Sequence, residues 1–288
     1  MTRGGNDPAA PAAISTAIPT DVPTDAATAA PTDFPGVRAL RQVGNLATLA
    51  WLVFRNLPRR PFQLREFLQQ AWLFASVTIL PTALVAIPFG AVIALQLGSL
   101  TEQIGAQSFT GAASALAIVQ QASPLITALL VAGAGGSAMC ADLGARAIRE
   151  EIDAMEVLGI NPVHRLIVPR VLAAMFVSLL LNGLVSVVGV MGGYFFNVVM
   201  QGGTPGAYLA SFNALAQLPD LWISEFKALL YGFVAGVVAA YRGLNPRGGP
   251  KGVGDAVNQA VVITFLLLFL TNLILTGIYL QVVPPKAL

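Results

Sequence analysis

Chemistry has few places to reside in this chain. Its 288 residues include one histidine, His164, and one cysteine, Cys140. No disulfide within the chain follows, nor a thiolate or imidazole metal cluster. His164 follows Pro162 in a charged loop, where a solvated or interfacial role suits it better than catalysis. Cys140 lies in an apolar stretch and reads as a small packed residue. The glycines of 243–249 resemble a phosphate-binding loop, but such a loop needs Lys after its second spaced glycine and then Ser or Thr. Gly249 and Pro250 stand there instead, so ATP is not expected to bind through that motif. No catalytic residue and no metal ligand is expected.

The richest run of charge is 142–170, DLGARAIREEIDAMEVLGINPVHRLIVPR. Ile148, Ile152 and Met155 fall at helical spacing, and Leu143 and Ala147 extend the apolar stripe. Arg146, Arg149, Glu150, Glu151, Asp153 and Glu156 cover the other faces. Gly159 followed by Asn161 and Pro162 is a helix stop. Helices that rest on a membrane are usually basic on their polar face. This one has more acids than bases, which suits a protein partner better than an anionic leaflet.

The elements that carry this loop are membrane spans. Hydrophobic residues make up 56% of the chain and charged residues 10%, against about 25% charged in soluble domains. Lipid is the solvent that accommodates such a surplus. The net charge of +2 suggests no nucleic-acid partner. A span needs about 20 apolar residues, and five stretches qualify: about 71–97, 115–137, 171–199, 222–241 and 256–283. Glu225 and Lys227 interrupt the start of the fourth. Residues 1–36, rich in Ala, Pro, Thr and Asp, are expected to be a disordered cytoplasmic tail. Region 37–70 carries a shorter apolar piece, 46–57, which reads as an interfacial helix.

Arginines cluster before span one, between spans two and three, and between spans four and five, where Lys251 joins them. The loops after spans one and three hold no Lys or Arg. That positive-inside pattern puts the N-terminus in the cytoplasm and the C-terminus outside. Pro81, Pro88 and Pro124 are expected to kink their helices. Gly189 with Gly193, and Gly232 with Gly236, are spaced for close helix approach. No span carries a carboxylate, His or Arg at mid-membrane, which weighs against a proton-driven carrier. The expected fold is therefore an all-α integral membrane protein of five transmembrane helices, with an N-terminal interfacial helix and a cytoplasmic loop helix.

The segment Glu151-Ile152-Asp153-Ala154-Met155-Glu156-Val157-Leu158-Gly159, then Pro162, then Val168-Pro169-Arg170, closely resembles the signature of the MlaE/YrbE permease family. Upstream, Ser123-Pro124-Leu125 and the run from Ala132 through Gly133, Ala134, Gly135 and Gly136 to Ser137 resemble the membrane segment entering that loop. The resemblance covers about 38–283 and looks most like YrbE proteins of mycobacteria and related actinobacteria. It implies the transmembrane subunit of an ABC-type lipid transporter in the cell membrane. The implied partners are Mce-domain proteins outside the membrane and a separate cytoplasmic ATPase dimer, which would bind ATP and Mg. No cofactor is implied for this chain itself.

The loop helix then becomes an ATPase-coupling helix, carried by Arg149, Glu150, Glu151, Asp153, Met155, Glu156, Leu158 and Gly159. Spans one and five would face a second permease and enclose the lipid, a fatty acid, sterol or phospholipid. Gln96, Thr264, Thr271 and Asn272 are then wall residues, with interhelical hydrogen bonding as their other reading. Gln121 and Ala134 stand where many members of the family carry an acid and an arginine. Pairing with a non-identical permease that keeps those charges would explain the loss. The alternative function is a non-transporting membrane scaffold that anchors its partners. Kinking prolines and polar residues inside the spans favour transport, which needs irregular, partly polar walls.

Overall fold

The computed structural model describes residues 35–56, 63–106, 109–246 and 248–282. The expected disordered tail lies outside the described residues as far as residue 34. Among the described residues, those up to Ala47 and those from Thr48 on belong to separate units. Helix α1, Pro35–Asn56, begins well before the apolar piece expected over 46–57. Within the larger unit its Leu49 and Val53 are buried, one turn apart on one face. Trp51 and Phe54 stack on each other on the exposed side.

Five helical runs are long and apolar enough to cross a membrane. The protein is an all-α integral membrane protein, and no strand occurs among the described residues. The first run is α2, Leu64–Gln103, whose 40 residues extend about 60 Å. It outruns the expected 71–97 at both ends.

The second run, Thr110–Ile148, is composite. Helices α3 (Thr110–Ala117), α4 (Ser123–Leu130) and α5 (Gly136–Ile148) are joined by π-helical turns at Ile118–Ala122 and Val131–Gly135. A short helix, α6 (Glu151–Val157), follows. The third run, Val163–Met200, contains α7 (Val168–Phe195) between π-helical turns at Val163–Ile167 and Phe196–Met200. Helix α8 (Pro205–Leu215) was not expected. It packs on α3, where its Tyr208 hydroxyl meets Ser114 Oγ at 3.3 Å. The fourth and fifth runs are α9 (Leu218–Leu244) and α10 (Gly249–Val282).

Helix α7 is the centre of the bundle, with α2 along one flank and α9 along another. Close crossings are made by glycine. A Cβ on Gly90 of α2 would stand 2.6 Å from the Gly189 carbonyl oxygen of α7. A Cβ on Gly232 of α9 would stand 2.6 Å from the Ala174 carbonyl oxygen. Both glycine pairs singled out from spacing therefore contribute a residue to a crossing of α7. Trp72 near the start of α2 and Trp222 near the start of α9 are 78% and 71% exposed. They mark opposite ends of the bundle, as interfacial tryptophans do.

The fourth span corrects the sequence reading. Helix α9 starts at Leu218, four residues before the expected 222, which sets Glu225 and Lys227 about two turns inside the helix rather than at its start. Lys227 is 2% exposed, and its Nζ donates to Thr276 Oγ1 at 2.8 Å and to the Gln120 carbonyl at 3.3 Å. Pro124, four residues on, has no N–H to offer that carbonyl in an α-helical bond. An ammonium thus donates where a proline in another span offers no N–H, as burial in a bundle demands. Glu225 Oε2 is also buried and has no hydrogen-bond partner. Glu225 and Lys227 are thus ionisable groups within the fourth run.

Candidate functional site

The loop between the second and third runs is built from two helix endings. Helix α5 ends at Ile148, and the chain turns through Arg149 and Glu150 before α6 begins. Glu150 has φ 59°, the only positive φ outside glycine among the described residues. The left-handed conformation costs a side chain about 1–2 kcal/mol, and it ends α5 where glycine is the usual choice. Glu151 and Asp153 then lie in the first turn of α6, where the helix dipole favours anions. Gly159, at φ 72°, ends α6, with the Ile160 N–H donating to the Met155 carbonyl at 2.9 Å. Asn161 Oδ1 accepts from the Val163 N–H at 2.9 Å and starts the next run. The stop expected at Gly159, Asn161 and Pro162 is thus observed.

The expected apolar stripe is divided by that turn. Leu143 and Ile148 belong to α5, the first buried and the second exposed. Ile152 of α6 is buried and Met155 half-buried. Asp153 and Glu156 are exposed. Beyond them Val157 and Leu158 are 87% and 74% exposed. This apolar pair at the tip of a charged loop is thus left uncovered by the rest of the chain.

Strain at Glu150 gives a direct test of the turn. Glu150→Gly is expected to leave the thermal unfolding midpoint of the detergent-solubilised protein unchanged or raised. Glu150→Val is expected to lower stability by about 1–2 kcal/mol, because a β-branched residue tolerates that φ least.

Beneath α6 lies a chain of alternating charges that ties it to the spans. Arg149 Nε contacts Glu151 Oε1 at 2.8 Å. Glu151 Oε2 faces Arg146 Nη1 at 3.8 Å, and Arg146 Nε contacts Asp142 Oδ2 at 3.4 Å. Asp142 Oδ2 accepts from Arg170 Nη2 at 2.8 Å. The same Nη2 reaches Glu66 Oε1 of α2 at 3.2 Å. Arg170 Nη1 donates to the Leu166 carbonyl at 3.1 Å, and the residue is 1% exposed. Sequence reasoning counted Arg170 only as a loop charge and a motif residue. Its signal was its place directly ahead of a charge-free stretch, where an arginine without partners would not be buried.

The residues considered for a lipid path are scattered. Gln96 is exposed on α2. Thr264 is buried on α10, and the Thr271 hydroxyl donates to its own helix at the Leu267 carbonyl. Asn272 Oδ1 accepts from the Tyr231 hydroxyl at 2.9 Å. One turn on, Thr276 holds Lys227, and Tyr279 is hydrogen-bonded to Asp220. Three side chains of α10 spaced along one stripe thus pair with three of α9. Elsewhere α10 shows large apolar side chains, among them Leu266, Leu273 and Ile278, to the surroundings. Gln121 and Ala134 both fall in π-helical turns of the second run. Among the described residues no group of His, Cys, Asp and Glu is placed to hold a metal ion.

The family model described as Permease MlaE matches residues 67–278. A probable ABC transporter permease protein of Synechocystis is 32% identical over 192 residues, covering 67% of this chain and 73% of that protein. A probable ABC transporter permease protein of Rickettsia typhi is 28% identical over 247 residues, covering 85% and 95%. The chloroplastic Arabidopsis thaliana protein TRIGALACTOSYLDIACYLGLYCEROL 1 is 29% identical over 179 residues, covering 62% and 51%.

Proposed function

This chain belongs to the MlaE permease family, and from that premise we propose that it moves lipid across the cell envelope, driven by a separate cytoplasmic ATPase. The observation that carries this reading is the loop. Its exposed Val157 and Leu158 offer an apolar plug, and the exposed Asp153 and Glu156 supply charge to set its orientation. The α6 segment is tethered within a few residues of two spans, so a push on it is felt by both. The ATPase would be a dimer holding ATP and Mg, since this chain carries no nucleotide loop of its own.

Lipid as cargo is supported by the wide apolar surfaces of α2 and α10. The name of the Arabidopsis relative refers to a galactosyl diacylglycerol, a lipid. A second, non-identical permease would cover part of those surfaces and restore the charges missing at Gln121 and Ala134. Mce-domain proteins would receive or deliver lipid outside, and the subunit would be of the actinobacterial YrbE type. The alternating basic loops support an N-terminus in the cytoplasm and a C-terminus outside.

Purification of the native complex in mild detergent is the test. The expected outcome is co-purification of an ATPase and a second permease, bound lipid detectable by mass spectrometry, and ATP hydrolysis that rises when lipid is added. A complex with partners but without lipid or lipid-stimulated hydrolysis would favour the scaffold alternative.

A further inference from the structure

We propose that Arg170 is a positioning residue that couples span one to the loop, so that motion of α6 moves the foot of α2 as well as the two spans it joins. The inference rests on the reading of the loop as a coupling element. Chain connectivity alone links α6 to the second and third runs. Helix α2 has no such link, and its tie to the loop is by side chains.

The tie is continuous. From Arg149 through Glu151, Arg146 and Asp142 to Arg170 and Glu66, six charges alternate in sign, each within 4 Å of the next. They sum to zero, so no member is left as an excess charge. Arg170 is the hub, because one guanidinium holds a carboxylate from α2 and one from α5 while its own backbone belongs to α7. Its burial shields these pairs from the water and salt that weaken exposed ones. Gln70, one turn along α2, donates to the same Glu66 oxygen at 3.2 Å and keeps that carboxylate aimed.

A second contact points the same way. The Phe74 ring of α2 fills the space over Gly135, where a Cβ would fall 2.1 Å from it. Gly135 closes the π-helical turn Val131–Gly135, a geometry that interrupts regular helix bonding and recurs at functional sites. Helix α2 therefore touches the second run at a rigid ionic foot and, two turns along, at a π-helical turn.

Removing Arg170 alone would strand two carboxylates, so the informative variant neutralises the triad together. Glu66→Gln, Asp142→Asn and Arg170→Met combined keep side-chain size and leave no fully buried charge, while Arg146 and Arg149, both open to solvent, share Glu151. In the full complex this variant is expected to retain its ATPase, its basal hydrolysis and its thermal midpoint. Lipid-stimulated hydrolysis and lipid transfer are expected to fall about tenfold, while Arg170→Lys keeps a part of both. Nitroxide labels at exposed Leu68 on α2 and exposed Ala154 on α6 supply the structural readout. Their distance distribution is expected to stay narrow in the ATP-bound and nucleotide-free complex, and to broaden in the neutral variant. Wild-type lipid transfer with a narrow distribution in the neutral variant would overturn the proposal. So would loss of the ATPase, which would assign the charges to docking. If the unaltered complex carries no ATPase or shows no lipid stimulation, the coupling reading itself falls and takes this inference with it.

Discussion

Replacing both Val157 and Leu158 with aspartate is expected to release the ATPase from the complex while leaving the permease folded. Both side chains are almost wholly exposed, so the spans lose no packing. Burying each in a partner groove is worth about 1.5–3 kcal/mol, and a buried unpaired carboxylate costs several more. Affinity should fall by about 100-fold or more, since each 1.4 kcal/mol is about a factor of ten. Pull-down of the ATPase by the purified variant reads the effect directly. Unaltered binding would mean that the tip meets no partner. Glu151 is the poorer choice for this test, because it is engaged inward with Arg146 and Arg149. Its reversal would disturb docking and the ion-pair chain together.

Gly232→Leu should yield no monodisperse protein at all. A Cβ there meets Ser178 Oγ at 2.3 Å and the backbone of Ala174 and Met175 at 2.6 Å. A backbone cannot give way as a flexible side chain does, so α9 would have to lift from α7. Overpacking typically costs about 1–3 kcal/mol, and separation of two packed helices adds the loss of their contacts. That is a large share of a total stability of about 5–15 kcal/mol. Gly277→Leu is the matched control, since nothing lies within 4 Å of its Cβ position. It should behave as wild type in size-exclusion chromatography, and normal behaviour of both variants would refute the crossing.

What the sequence disclosed follows from the range of the forces involved. Bilayer thickness sets the length of an uninterrupted apolar run, so the five spans were legible from composition. Gly159 with Asn161 and Pro162 stopped α6 by local backbone rules, and that too was legible. The break at Glu150 was not, because a left-handed glutamate defies local preference and is held by the ends of two helices. Helix α8 escaped because its apolar face answers to Ser114 and its neighbours, not to a period in its own residues. The π-helical turns show no pattern in the sequence, though Pro124 beside one of them hinted at a disturbed ladder. Arg170 and Lys227 looked like ordinary charges at span edges. Their burial depends on Glu66, Asp142, Gln120 and Thr276, which are distant in the chain.

The bond between Lys227 and the Gln120 carbonyl also bears on how the protein is made. A lysine at the centre of an isolated helix costs about 2.5–3.5 kcal/mol to insert through the translocon, and less toward its ends; Lys227 lies about a third of the way along α9, which has the lowest hydropathy of the five runs, at 1.5. One acceptor that relieves this cost is in the second run, which leaves the ribosome before the fourth. Its other acceptor, Thr276, lies in α10 and emerges last. During synthesis the fourth span therefore enters lipid against a waiting carbonyl, and its ammonium is fully satisfied only when the final helix arrives. Chain order thus lets the fourth span meet one of its two acceptors before the last span is made.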